Sequence, residues 1–316
     1  MNFGDDNSGF PPHQDGSSGT TPGQETGVET PHSVALDSPL TGDPFSLAAV
    51  APPTSPAHQR VLPEDLRISW SWAHLIVFLF FGGISLFAIQ ASFMLYYAPF
   101  HRIVGEREFE RFVLSRPFFA VGSMVAWYGM LLLFLYVTLS VLRGFPFWKT
   151  LGWRSLARDG EKSRRAWLYF LGGCGLSILV FLATARVQPK QDVPIEELFR
   201  YKNTALLFMA MAVLVAPLVE ETVFRGYLYP LFAKTFGVAS GVIITGVLFG
   251  LMHGAQLGWT WGLVWVLIVV GVVFTLVRAR TGSVLASFLL HLGYNSMIAL
   301  VTILGTQGFT KLPHVP

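Results

Sequence analysis

The apolar residues of this chain fall in blocks of roughly 17 to 25, the length a helix needs to cross about 30 Å of hydrocarbon. No other feature of the sequence restricts the fold as much. Charged residues fill 13% of its 316 positions, about half of the ~25% usual in a soluble domain. The pattern argues for a membrane bundle over a large soluble core. The expected fold class is all-α, a polytopic transmembrane helix bundle of about 7–8 spans.

The blocks run from about Trp70 to Leu95, Pro117 to Leu142 and Ala166 to Ala185. A fourth begins near Thr204 and reaches the acidic pair Glu220 and Glu221. The others cover about Val238 to Met252, Trp259 to Val277 and Ser283 to Leu304. The amphipathic stretch Phe224 to Phe236 is open to three readings: a continuation of the fourth helix, an interfacial segment, or a re-entrant one. A simple alternation of spans puts Glu220 near one membrane face and His253 near the other. A long helix running on to Tyr229 would instead bring Glu220 to mid-depth.

Residues 1–60 are rich in Pro, Gly, Ser, Thr and Asp, with scattered apolar positions. Such a segment cannot bury enough apolar surface to offset its ordering entropy, so it reads as a disordered tail. It also lacks the basic start, apolar run and small-residue site of a secretory signal. The expected organisation is this cytoplasmic tail, N-terminal transmembrane helices over 61–200, a catalytic core over 201–305 and a C-terminal tail over 306–316. Arg143, Lys149, Arg154, Arg158, Lys162, Arg164 and Arg165 follow the second block. Positive loops stay inside, so this loop and the N-terminus are expected in the cytoplasm, in a bacterial inner membrane. The small net charge of +3 suits membrane lipid as a partner better than nucleic acid. Cys174 is the sole cysteine, which excludes an intrachain disulfide and a thiolate zinc site.

After Glu197 the only acidic residues are Glu220 and Glu221. An ionisable group inside a membrane costs about 2.5–3.5 kcal/mol on insertion scales, so an adjacent pair calls for an explanation. Two carboxylates at a helix end, meeting water at the headgroup level, would be the plainest one. Arg225 lies four residues beyond Glu221, on the same helix face, and can form a structural ion pair with it. Glu220 then points about 100° away without a local partner, which suits a general base. His253 closes the fifth block beside Gly246, Gly250 and Gly254, a small-residue stripe that reads as helix packing. His291 and Asn295 share one face of the last block. Taken singly, each histidine is at home as a helix-to-helix hydrogen-bonding group.

Together these residues can hydrolyse an amide. Glu220 and His253 would activate a water, and His291 and Asn295 would donate to the developing oxyanion. Alternatively, Glu220, His253 and His291 could ligate zinc with one position left open. No cofactor is favoured, and zinc stays possible.

The sequence Glu220-Glu221-Thr222-Val223-Phe224-Arg225, the Phe249-to-His253 spacing and the His291-to-Asn295 spacing resemble three motifs of one family. It contains the type II CAAX prenyl endopeptidases and the bacteriocin-processing or immunity proteins, the CPBP family of intramembrane proteases. The resemblance covers about 205 to 300 and implies an intramembrane endopeptidase. It implies the first glutamate and the second-motif histidine as water activators, and the third-motif His and Asn as an oxyanion site. All motif positions are intact. No His-Glu-x-x-His helix is present, no Asp follows Asp192, and no Gly-x-Ser-Gly of the rhomboid kind lies in an apolar block, which disfavours other intramembrane protease classes. The expected partner is a membrane-anchored peptide or protein substrate. The alternatives are a non-enzymatic membrane scaffold or bacteriocin-immunity protein of the same fold, and, less well supported, a transporter.

Overall fold

The computed structural model describes residues 66–97, 112, 116–156, 166–185, 199 and 201–309. The tail expected over 1–60 lies outside them, as do most of the loops at 102–116 and 186–202. Among the described residues every regular element is helical. The helices are α1 (Trp72–Tyr97), α2 (Pro117–Tyr136, extended by a wide turn over Val137–Val141), the short α3 (Phe147–Thr150) and α4 (Ala166–Thr184). They are followed by α5 (Lys202–Phe236), α6 (Val238–Met252), α7 (Trp261–Thr281) and α8 (Val284–Gly305).

Six of these are long and apolar enough to cross a membrane. The fifth apolar block is the exception. As α6 it has 15 residues, about 22 Å at 1.5 Å per residue, which is short of a full crossing. Long side chains such as Phe80, Phe87, Leu179 and Trp265 point outward. In water such a belt would promote aggregation, whereas lipid solvates it. The protein is an integral membrane helix bundle.

The fourth block does not end at the acidic pair. It runs on through the amphipathic stretch to Phe236 as one 35-residue helix, because the apolar face of 224–236 has a partner. Phe224, Tyr227, Leu228, Leu231 and Phe232 are buried against α1, α2 and α6 together with Trp70, Phe78, Leu135 and Phe249. Gly237, at φ 90°, then reverses the chain into α6 with a backbone that only glycine adopts freely. Glu220 lies 17 residues before that turn and His253 lies 16 after it, so the antiparallel hairpin brings the two to the same depth.

Close approach of backbones fixes the rest. α6 packs on α7 through Gly246 and Gly250. An added Cβ on Gly250 would stand 2.6 Å from the Ile268 backbone nitrogen. α4 packs on α8 through Gly173 and Gly293, where an added Cβ would strike the carbonyls of Leu290 and Phe170 respectively. At one end of the bundle Val284 N–H donates to Gly152 O (2.9 Å) and Ser283 Oγ donates to Arg154 O (2.6 Å). Arg143 reaches the Ser69 carbonyl at that same end.

Candidate active site

Pro217 shapes the site from below. It sits inside α5 without an N–H to donate, and the helix widens just before it, with Ala216 N–H bonding back five residues to Met211 O. The next carbonyl, Ala212 O, would need the missing N–H of Pro217 to continue that wide turn. Asn295 supplies the donor instead, from Nδ2 at 2.8 Å. A proline in α5 and an asparagine in α8 thus lock the two helices together beside the acidic pair.

A second wide turn, Glu221–Leu228, follows at once, and all eight of its residues are buried. Such π segments are frequent at functional sites. Here it turns the two glutamates to different surroundings. Glu221 is fully enclosed and pairs through Oε1 with Arg225 Nη1 at 3.0 Å. Arg225, equally enclosed, spends its other donors on Gly271 O (Nη2, 2.9 Å) and Thr275 Oγ1 (Nε, 3.2 Å). Its guanidinium lies 4.5 Å from the Phe249 ring centre and 5.3 Å from that of Phe274, a cation–π environment.

The Glu221–Arg225 pair also holds a histidine. His291 Nδ1 lies 3.0 Å from Glu221 Oε1. A carboxylate only accepts, so this nitrogen carries the proton. His291 Nε2 then faces Glu220 Oε2 at 3.8 Å. The other Glu220 oxygen, Oε1, accepts from Tyr128 Oη at 3.1 Å. His253 is fixed in the same way: its Nδ1 donates to Phe249 O at 2.8 Å, which leaves the Nε2 lone pair for the cavity.

Glu220, His253, His291 and Asn295 all line one cavity of about 340 Å³. A second cavity of about 390 Å³ lies towards α1 and is otherwise apolar. Tyr128, Glu220, His253 and Gln256 line both, so the polar groups sit at the junction of two greasy chambers.

Residues 202–297 match the family model described as type II CAAX prenyl endopeptidase Rce1-like. The matched segment is similar to the CAAX-type intramembrane proteases. It takes up less than a third of the 316-residue chain. No curated protein and no solved structure matches the chain.

The matched segment contains all six motif residues singled out in the sequence. Four face the cavity, while Glu221 and Arg225 form a fully buried ion pair behind it. Tyr128 and Gln256 were not singled out. A lone tyrosine in an apolar span carries no motif, and Gln256 lies in the turns that follow α6. Among the described residues no three His, Cys, Asp or Glu side chains gather as metal ligands. His291 Nδ1 is committed to Glu221, and its Nε2 is 3.8 Å from Glu220. Zinc ligands stand about 2.0–2.2 Å from one common ion, and Glu220, His253 and His291 do not gather around such a point. The residues as placed do not fit a zinc site.

Proposed function

We propose that this protein is an endopeptidase that hydrolyses a peptide bond of a membrane-associated substrate, using a water held between Glu220 and His253. The convergence of Glu220, His253, His291 and Asn295 on one cavity inside an apolar bundle carries this reading. A polar atom left without a partner in such a place costs roughly 1–3 kcal/mol. Each of the four side chains is held through one atom and keeps another for the shared space, which suits a site that binds something polar.

In this mechanism the water oxygen attacks the scissile carbonyl carbon, and one water proton passes to Glu220. The His253 Nε2 lone pair accepts the water's other hydrogen bond and aims its oxygen. Two donors remain for the oxyanion. One is the second N–H of Asn295, whose first is held by Ala212 O. The other is His291 Nε2–H, in the form protonated at both nitrogens, with Nδ1–H held by Glu221. When the C–N bond breaks, the proton on Glu220 moves to the departing nitrogen, which becomes the new amine. Glu221 and Arg225 touch no reacting atom and hold His291 in place. The basic end of the bundle, with Arg143, Lys149 and Arg154, would face the cytoplasm.

The test is cleavage of membrane-inserted peptides by the protein in vesicles, wild type beside Glu220→Gln. Loss of general-base catalysis should lower kcat by about 10²–10⁴-fold, with 1,10-phenanthroline leaving the wild type unchanged. Equal turnover by Glu220→Gln would remove Glu220 as the base, and no cleavage by the wild type would replace the enzyme reading with that of a membrane scaffold.

A further inference from the structure

We propose that Tyr128, on the second span and outside the segment that matches the protease family, is a positioning residue that sets the orientation of the Glu220 carboxylate. The inference rests on the function proposed above and adds to it a part of the chain that carries no recognised motif.

Tyr128 donates its hydroxyl to Glu220, 3.1 Å from Oη to Oε1. Their separation of 92 residues means that this contact exists only when α2 and α5 are packed. Tyr128 is held firmly for the purpose. Its neighbour Trp127 donates from Nε1 to Gly82 O at 2.9 Å, tying α2 to α1. The Trp127 and Tyr128 ring centres are 5.8 Å apart. Around the hydroxyl the two chambers are lined mainly by apolar side chains, and of the polar groups at their junction, Glu220, His253 and Gln256, it is Glu220 that takes the bond.

The geometry gives the bond a consequence. A carboxylate on a flexible side chain can turn either oxygen towards a substrate. Engaging Oε1 removes that freedom and leaves Oε2, which faces His291, to receive the water's proton. Tyrosine suits this role because its single O–H is carried on a rigid ring with few rotatable bonds, so little entropy is lost in aiming it. A pre-oriented base shortens the search for a reactive geometry without adding affinity for the substrate. The effect should therefore fall on kcat and not on KM.

The experiment compares wild type, Tyr128→Phe, Glu220→Gln and the double variant in vesicles with one cleavable membrane peptide. The expected result for Tyr128→Phe is a fall in kcat of about 10-fold, the scale of one hydrogen bond to a charged group, with KM within about twofold. The double variant should be no slower than Glu220→Gln, because the tyrosine acts through that carboxylate. Should Tyr128→Phe fail to fold, 4-fluorophenylalanine at position 128 keeps the bulk of tyrosine without its donor and should give the same kcat loss. Wild-type kcat in a folded variant without the donor overturns the inference, and so does a further loss in the double variant. Full activity of Glu220→Gln removes Glu220 as the base of the proposed function, a result distinct from both.

Discussion

Arg225 keeps its charge where no solvent reaches it, with each of its three nitrogens engaged and two aromatic rings against its plane. A buried ion pair need not add net stability, but breaking one strands a charge and costs about 3–5 kcal/mol. Arg225→Ala leaves Glu221 without its cation, with the His291 N–H against it, and loosens the carboxylate that supports His291. A large drop in the melting temperature of the purified protein is the expected outcome, and near-wild-type melting would refute the pairing role. Arg225→Lys should fail almost as badly, because an ammonium cannot span Glu221, Gly271 and Thr275 with a planar fork. At Asn295 two roles can be separated. Asn295→Asp keeps the shape and removes the donor, leaving Ala212 O without its bond and setting a third carboxyl near Glu220. It should destabilise by about 1–3 kcal/mol and also abolish turnover. Asn295→Gln activity with wild-type stability would show that the Ala212 contact is dispensable.

The α6–α7 pair shows how little tolerance an element can have. Gly250 sits where an added Cβ would lie 2.6 Å from Ile268 N and 2.9 Å from its Cα, and backbone cannot yield as a side-chain tip can. Gly250→Leu should therefore push α6 off α7, at about 1–3 kcal/mol or more for overpacking. His253, three residues on, should lose its level with Glu220. Reduced melting temperature and reduced cleavage together are expected, and a stable, fully active variant would contradict the close packing. The same elements show what could be read in advance. The apolar blocks could be read from their length alone, and the glycine stripe was recognisable as packing from its spacing of four. The course of α5 was not readable with the same ease. Its polar pair mimics a helix end, and Pro217 and Pro230 look like breaks. Only the burial of 224–236 against α1 and α2, a tertiary effect, decides that the helix continues. Once α5 continues to Gly237, the depth match of Glu220 and His253 follows from counting residues. The ion pair followed from i,i+4 spacing, whereas Tyr128 needed the packing of α2 on α5, which no local pattern encodes.

At the scale of the whole molecule, the segment that matches the protease family is not a free-standing unit, even though the match begins at residue 202. Its longest helix is covered from outside the match. Trp70 Nε1 donates to Tyr227 O (3.1 Å), His74 Nδ1 meets Tyr227 Oη (2.7 Å) and Trp153 Nε1 reaches Thr222 Oγ1 (3.2 Å). α4 closes the back of α8 at the Gly173–Gly293 crossing, and Cys174 Sγ donates to Gly293 O (3.4 Å). Lipid can replace the apolar part of these contacts, since tails are as apolar as leucine, but it cannot replace the hydrogen bonds. A chain beginning at residue 200 should therefore insert and yet lose its compact form. Tyr227 and Glu220 would lack their partners, and no second span would carry Tyr128. A chain beginning at Leu62 removes only the Pro- and Ser-rich tail and should melt and cleave as the full chain does. Limited proteolysis and thermal melting of the two truncations beside the full-length protein, each in the same detergent, decide the point. A protease-resistant, active product from residue 200 onward would show that α1, α2 and α4 are accessory, and would remove the structural basis for any role of Tyr128.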